Sequence, residues 1–524
     1  MNDGRTALET LLARYRAGQL SRRQLFQRAA ALGMGAAALS AVTRPGGVGA
    51  QPSGELTLVL PRSLVALDPH GAQSVEEATA VVSNHVLGTL TARDPVTGEL
   101  LPRLALSWEA TDETTWTFTL REGVKFHDGT EVTSADIKAS LERVIALEGP
   151  LAPLWAPVTS VEAPDPLTVQ IKTSQPLGTV PISSSLLYVA PAAHLEDEAF
   201  FNAPFGMGAF TFVDWTPDSQ LTMEANPDFW NGAPGLERLI IRDIPETAAR
   251  VTAIETGEID FTYALPADQL PSLQENDELQ IDSVSSYAYY FVWFNNSREP
   301  FTNPQVRRAM IHALDIDTMV NDLLQGVAVR AQAPIPSTVF GFAPQTPYAY
   351  DPELARSLLA EAGFPDGFQT SIIWNPGSGP QDRELMLTMI SYWAEIGVQV
   401  ENLEQERALW LENLLALEWD MDFQTNTVRS GDADFTLRRL YVSSANRLGY
   451  ASPDLDVILN DAAAASDQAQ RAELYAEACR IIWEDAAGIF PFELVENYVY
   501  RDRVQGFVAP PSAIPIFETV TVAE

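Results

Sequence analysis

The stretch from Trp116 to Arg143, WTFTLREGVKFHDGTEVTSADIKASLER, decides more about the fold than any other part of the chain. At its start, large apolar side chains alternate with threonines, which is the two-residue period of a half-buried strand. Two turns follow, at Gly123 and Gly129, with a short return strand between them. A helix then begins at Thr133 or Ser134, because either hydroxyl can cap its first turn. The stretch therefore predicts a strand, a hairpin and a helix, without an evident catalytic group.

The rest of the chain shows the same mixture of patterns, without repeats or low-complexity tracts. Strands are predicted at 55–60, 236–244, 259–263 and 287–295, and helices at 75–90, 248–257, 303–314 and 351–363. Such alternation is typical of α/β lobes. About 474 residues follow a predicted leader, which is more than one hydrophobic core usually organises, so we expect at least two lobes.

The first 50 residues have the features of an export signal. The sequence SRRQLF at 21–26 resembles the twin-arginine motif, and the weakly apolar run at 29–42 is too short to span a bilayer. Val48 and Ala50 are the small residues that signal peptidase needs, so we expect the mature chain to begin near Gln51. The alternative is an amphipathic N-terminal helix. No other segment of the sequence approaches the length of a membrane span.

The composition is strongly acidic, with a formal net charge of −37. Removing the leader, which holds seven arginines and two acids, takes the charge to about −42. Such a charge argues against nucleic acid and anionic lipid as partners, because both attract basic surfaces. Only three lysines occur, against thirty arginines. The acidic, lysine-poor surface is either an adaptation to salt, which screens like charges, or arginine codon bias with ordinary solubility.

Cys479 is the only cysteine, and it lies among apolar residues at helical spacing. We therefore expect it to be a buried, small hydrophobic residue. One cysteine cannot form an internal disulfide, and none lies near Gln51 to carry a lipid. We expect the mature protein to be a monomer that has no cofactor. It should diffuse freely in a periplasm.

Enzymatic motifs are weak. The five histidines are dispersed, with no HExxH pattern, and His127 belongs to a predicted turn. The serine-rich runs at 183–185 and 376–380 lack the glycine pattern or the strand-to-helix turn of a nucleophile elbow. An exported hydrolase is therefore a minor alternative.

In addition to the stretch that begins at Trp116, several short segments match the pattern of one protein family. They occur in the family's order along the chain. They are LDPH at 67–70, LPRLALSWE at 101–109, GMGAF at 206–210, NPDFW at 226–230, the FNN…PF…VRRA…ALD series at 294–315, and DPELARSLLAEAGFPDGF at 351–368. Together they resemble the family 5 extracytoplasmic solute-binding proteins, the peptide and nickel receptors of ABC importers. In GMGAF, Met207 and an alanine replace the threonine and proline usual in the family.

The resemblance implies an α/β, two-lobed periplasmic binding protein fold with an extra subdomain in lobe I and a ligand cleft between the lobes. The implied boundaries are 51–286 plus 497–524 for lobe I, about 88–203 for its inserted subdomain, and 287–496 for lobe II. Two chain crossings, near Tyr287 and Asn497, are implied as the hinge. Closure of the lobes would exclude water and strengthen each polar contact inside.

The same resemblance points to one acidic loop as a ligand site. The sequence RSGDAD at 429–434 falls where relatives place a "WxxDYxDP" loop, whose carboxylate holds the ammonium group of a peptide. A carboxylate suits a cationic amine because charge-assisted hydrogen bonds are strong. Asp434, then Asp432, are the predicted ammonium acceptors, with Arg429 beside them. Here the tryptophan is absent and Phe435 replaces the proline, which puts a plain dipeptide in doubt; a solvated turn is the alternative.

Aromatic side chains are the other ligand candidates. Alternation sends Tyr287 and Tyr289 to one face of a predicted strand beside the first crossing. The remaining candidates are Trp155 in the insert, Trp374 and Asn375 at the end of an apolar strand, and, more weakly, Met207 and His70. Each of these side chains also suits an ordinary position in a hydrophobic core.

The sequence thus predicts a periplasmic receptor that captures a peptide-like or amine-bearing small solute and presents it to an ABC permease. Receptors for a nickel or other metal–chelate complex, or for an oligosaccharide, remain alternatives. The choice depends on a few cleft residues that depart from the family pattern.

Overall fold

The computed structural model describes residues 54–197 and 199–523. The predicted export signal at 1–50 lies outside the described residues. The strands are β1 Glu55–Val59, β2 Thr91–Arg93, β3 Leu100–Pro102, β4 Ala105–Asp112, β5 Thr115–Leu120, β6 Val158–Asp165, β7 Thr168–Thr173, β8 Phe210–Thr216, β9 Gln220–Ala225, β10 Arg238–Arg242, β11 Phe261–Tyr263, β12 Leu279–Phe294, β13 Ala328–Arg330, β14 Gln369–Trp374, β15 Gln399–Glu404, β16 Met421–Thr427, β17 Gly488–Arg501, β18 Val504–Gln505 and β19 Thr521–Val522.

The α-helices alternate with these strands, as the sequence predicts. They are α1 Glu77–Val86, α2 Ser134–Ala146, α3 Val180–Ser183, α4 Thr247–Thr256, α5 Leu270–Gln274, α6 Pro304–His312, α7 Ile316–Asp322, α8 Pro352–Glu361, α9 Asp382–Glu395, α10 Arg407–Ala416, α11 Asp434–Tyr441, α12 Pro453–Ala464 and α13 Gln468–Glu484. In the described part of the chain, no helix is long and apolar enough to cross a membrane.

In the stretch that opens at Trp116, the first strand and the helix form as predicted, and the return strand does not. β5 buries its alternate apolar side chains, and α2 begins with a capping box in which Thr133 and Asp136 satisfy each other's backbone amides. The predicted return strand forms only an isolated bridge, between Lys125 and Glu131, because the two turns leave too few residues for a ladder. β5 lies in a four-stranded sheet of order β4-β5-β7-β6, which forms the core of the insert with α2.

One large sheet carries the remaining architecture. Its order is β15-β14-β16-β12-β17-β11-β1-β10-β9-β8, with β13 also paired to β17. The strands from β11 to β8 belong to the half predicted as lobe I, and β14 to β16 belong to the half predicted as lobe II. We keep these two names for the halves of the sheet and the helices that cover them.

The long antiparallel strands β12 and β17 join the two halves. Their register runs from Leu279 opposite Arg501 to Trp293 opposite Gly488, and it is interrupted between Ser285 and Tyr289. Both predicted crossing points lie within these strands, beside or inside that irregular section. The exact lobe boundaries stay a prediction.

The aromatic strand β12 sends its side chains alternately to two cores. Tyr287 and Tyr289 lie in one core of lobe II, as alternation predicts. Tyr290 and Val292 lie in a second core, which runs along the opposite face of the sheet and includes Ile254 of lobe I. Because both faces are covered there, the strand is apolar without interruption from Tyr287 to Phe294.

Candidate ligand-binding cleft

The two lobes touch through backbone contacts. From the end of β2, Arg93 donates to the carbonyls of Ser430 and Gly431, at 2.7 and 3.0 Å. Near α3, the amide of Gly178 donates to the carbonyl of Ala463 at 2.7 Å. A Cβ atom on Gly178 would lie 1.7 Å from the carbonyl oxygen of Ala465, so only glycine permits this approach. The structure therefore has its lobes in contact around a cleft.

The predicted acidic loop follows β16, but its carboxylates turn into lobe II. Asp432 is 2% exposed and receives two hydrogen bonds from Arg471 on α13, at 2.8 and 3.0 Å. Asp434 receives two from Arg438, both at 2.8 Å, and one from the Tyr475 hydroxyl at 3.3 Å. Each carboxylate is already neutralised inside its own lobe.

The internal partners give Asp432 and Asp434 a structural role. That these residues bind an ammonium group stays a prediction. Arg471 lies 39 positions beyond Asp432, on another helix, so no local pattern reveals that pair. The Arg438 partner of Asp434 stands at i,i+4 on α11 and is visible in the sequence.

The two tyrosine candidates take different positions. The ring of Tyr287 lies against Gly431, where a Cβ atom would come within 2.6 Å of it, so this tyrosine supports the loop at its junction with lobe I. Tyr289 is fully buried in the core of lobe II, and its hydroxyl has no hydrogen-bond partner among the described residues. Only Tyr287 is close to the cleft wall.

The other predicted candidates have partners within lobe II or the insert, and their contact with a ligand stays a prediction. Trp374 is fully buried and donates to Asn402 at 2.7 Å, because parallel pairing with β15 brings that amide beside the ring. Asn375 donates to the Gln405 carbonyl at 3.1 Å. Trp155 and Met207 lie in the core of the insert, 2% and 1% exposed. Trp374, Trp155 and Met207 therefore belong to hydrophobic cores, whereas Asn375 is partly exposed.

His70 has a positioning role. It is fully buried, and burial lowers its pKa to about 4. Its Nε2 atom lies 2.8 Å from the backbone carbonyl of Tyr188, and Asp68, held by Arg143, accepts its backbone amide. The histidine thereby fixes the segment that carries Tyr188.

Two carboxylates that the sequence did not single out lie together at the cleft. Glu77 is the first residue of α1, and it accepts a short hydrogen bond from the Tyr263 hydroxyl. Glu496 lies on β17 and accepts from the amide of Ala264 at 2.9 Å. Burial and the nearby charge of Glu77 raise the pKa of Glu496 to about 8. Both side chains remain partly accessible, although protein surrounds them.

Arg429 approaches this group from the other lobe. Burial raises the pKa of Glu77, and the Tyr263 hydrogen bond and the charges of Arg429 and Arg62 oppose that rise. The Arg429 charge also opposes the rise that burial causes in the pKa of Tyr188, a second lobe I side chain. The cleft thus brings together carboxylates from lobe I and the hinge with a guanidinium from lobe II.

The sequence does contain a signal for one missed residue. Glu493 and Glu496 both interrupt the apolar run IFPFELVENYVY, and an acid inside such a strand needs a special reason. The run does not show which acid faces the cleft; Glu493 is buried and accepts a hydrogen bond from Ser337. Glu77 has no comparable signal, since an acid in the first turn of a helix is ordinary.

Two other concave regions lie away from this group. One is in lobe II beside Tyr348 and Trp483, and the other is in lobe I beside Arg62 and Trp215. Neither is lined by Glu77, Glu496 or Arg429. The charged cleft remains the better candidate because it lies where two lobes can close on a solute.

Two α/β lobes on one shared sheet, with a subdomain inserted in the first and a charged cleft between them, define a two-lobed periplasmic binding protein. Comparison with known proteins agrees. The family described as bacterial extracellular solute-binding proteins, family 5, middle region, matches residues 99–447. The chain belongs to this family, and the predicted family and fold class are confirmed.

Similar proteins come from several bacteria. The glutathione-binding protein GsiB of Pectobacterium atrosepticum is 29% identical, covering 81% of this chain and 86% of that protein. The heme-binding protein A of Haemophilus influenzae is 28% identical, covering 81% and 84%. The solved structure of HbpA2 from Haemophilus parasuis has a TM-score of 0.81 and 25% identity, covering 90% of this chain and 100% of that one. These relatives support a solute-binding protein.

A first prediction concerns the buried pair of Asp432 and Arg471. The change Asp432→Asn should lower the free energy of unfolding by about 3 kcal/mol, because it leaves a buried guanidinium without its counter-charge. Chemical denaturation of both proteins measures the difference, with the exposed Glu473→Gln on the same helix as control. Unchanged stability would show that the carboxylate is free to serve a ligand.

A second prediction concerns the pH dependence of Glu496. Its pKa of about 8 in the folded state exceeds the value of 4.5 expected when unfolded, so the folded chain retains the proton more tightly. The resulting stability is fully present below about pH 4.5 and is lost as pH rises towards 8. Glu496→Gln stays neutral and should therefore melt at a higher temperature than the native chain near pH 8, with the difference shrinking towards pH 5.

Calorimetric melting of both proteins across this pH range tests the effect. The exposed Glu109→Gln serves as control for a simple change in net charge. Parallel pH profiles for the native chain and Glu496→Gln would contradict a protonated, partly buried carboxyl at the hinge.

Proposed function

We propose that this chain is the receptor of an ABC importer in a periplasm, where it captures a peptide-like or other amine-bearing small solute. The lobes close on the solute, and the closed receptor, as a monomer, presents it to the permease in the inner membrane. No bond is made or broken; closure is the mechanism. This proposal builds on membership of a solute-binding family.

The pairing of Glu77 with Glu496 is the observation that supports an amine-bearing solute. Two adjacent carboxylates in a cleft repel each other, which is one reason why the pKa of Glu496 is raised. A cationic amine placed between them removes that repulsion and forms charge-assisted hydrogen bonds. One relative is a glutathione-binding protein, which supports a peptide-like solute.

A metal chelate is the second candidate, because another relative is named a heme-binding protein. The carboxylate pair favours the amine over this alternative, since carboxylates attract a cationic group whether or not the solute contains a metal.

A third prediction tests the solute class. A randomised tripeptide library with free ends should bind in a saturable, one-to-one manner and make the protein more compact in small-angle scattering. At a hundredfold excess over the dissociation constant, bound peptide should raise the free energy of unfolding by about 2.7 kcal/mol. The same library with acetylated N-termini should bind more weakly, because it has no ammonium group.

Glu496→Gln and Glu77→Gln should reduce the preference for free over acetylated N-termini, whereas the exposed Glu109→Gln should not. Equal binding of the two libraries to the native chain would contradict an amine site. Turnover of the peptides by catalytic amounts of protein would favour the hydrolase.

A fourth prediction concerns export, which we propose occurs by the twin-arginine pathway. Replacing Arg22 and Arg23 together by lysine should leave uncleaved precursor in the cytoplasm, because that pathway recognises the arginine pair. Fractionation and immunoblotting measure the distribution. Normal accumulation of the mature double variant in the periplasm would point to general secretion.

A further inference from the structure

The charged side chains of the loop that follows β16 point in unexpected directions. Its two acids, Asp432 and Asp434, point into lobe II and are held by arginines. The side of the loop that approaches lobe I therefore carries no free carboxylate. The charged side chain on that side is Arg429. Its positive charge lowers the pKa of Glu77 and of Tyr188, against the effect of burial.

Arg429 differs from the other arginines around this loop. Arg438 and Arg471 are bound by carboxylates, Arg93 by two backbone carbonyls, and Arg439 by a backbone carbonyl and an asparagine. Within the described part of the chain, the side chain of Arg429 has no hydrogen bond and no ion pair, although it is half-buried. A guanidinium in that setting is ready to receive an anionic group.

The position of Arg429 is fixed by its neighbours. Gly431 has a φ of 62° and packs against the ring of Tyr287, so the loop cannot carry a side chain there without strain. Arg93 binds the carbonyls of Ser430 and Gly431 from lobe I. Contact between the lobes thus holds the backbone next to Arg429 in one place.

The opposite wall of the cleft carries the opposite charge. Glu77 and Glu496 belong to lobe I and to the hinge strand β17, and neither has an ion-pair partner within 4 Å among the described residues. Arg62 and Arg250 also act on Glu77, but Arg62 is exposed and Arg250 donates to Leu60 and Thr247. A charge gradient therefore runs across the cleft.

We propose that the solute is zwitterionic and that Arg429 of lobe II binds its carboxylate while Glu77 and Glu496 receive its ammonium. This assignment rests on the proposed function and specifies it further. It reverses the orientation expected from the acidic loop, since lobe II takes the acid end of the solute instead of the amine end. Arg429 is then a specificity-determining residue, because a solute without an acid group leaves it unpaired.

The test compares randomised tripeptide libraries as free acids and as C-terminal amides, both with free N-termini. The native chain should bind the acids about thirtyfold more tightly, since deleting one member of a desolvated charge pair is costly. Arg429→Gln should bind both libraries equally, and Arg429→Lys, which keeps the charge, should retain part of the preference. Arg383→Gln, an exposed change in the same lobe, is the matched control. Melting curves without peptide verify that every variant is folded.

The outcomes separate this inference from the proposed function. Equal binding of acids and amides to the native chain, or an acid preference that survives in Arg429→Gln, overturns the role of Arg429 and leaves an amine-binding receptor intact. Failure of every free-amine library to bind overturns the peptide-like solute, and the inference with it. Loss of the preference in Arg429→Gln alone supports the assignment.

Discussion

The antiparallel pairing of β12 with β17 is the constraint on which the rest of the structure depends. Because β12 also pairs with β16, and β17 with β11, these two strands turn the sheets of both lobes into one. Their ladder is interrupted beside Ser286, whose hydroxyl accepts the amide of Ala288 and donates to the Leu494 carbonyl. A pair of strands with one irregular section can bend there while each lobe keeps its own core.

Charge is distributed across the cleft by the need to neutralise what is buried. Asp432 is too deeply buried to stay charged alone, so Arg471 accompanies it, and Asp434 has Arg438 in the same way. The loop then presents Arg429 to lobe I. The hinge strand brings Glu496 to the same place, where its partial burial and the nearness of Glu77 keep it close to its protonation threshold at neutral pH. A solute with a positive and a negative group would provide a partner for the carboxylates on one side of the cleft and for Arg429 on the other.

Several side chains with the chemistry of a ligand site also have packing roles. Trp374 and Trp155 are large enough that the lobe II and insert cores depend on them, and the indole of Trp374 finds its hydrogen bond inside the lobe. His70 holds the backbone of Tyr188, whose side chain belongs to a core of lobe I. The role of an aromatic or imidazole group near a predicted cleft therefore depends on its neighbours in the tertiary structure.

The sequence by itself determined the elements, their alternation and the family. β5 and the capped start of α2 follow from the two-residue period and from Thr133, and the helix at Pro304 follows from its asparagine cap, because these signals act between residues close in the chain. The two-lobed fold followed from family motifs. The site was predicted less well, although Arg429 and Tyr287 were among the candidates. Only the tertiary structure paired Asp432 with Arg471 and set Glu77 beside Glu496 and opposite Arg429, because those neighbours lie dozens to hundreds of residues apart, and burial, which no local pattern contains, decides which charge stays free.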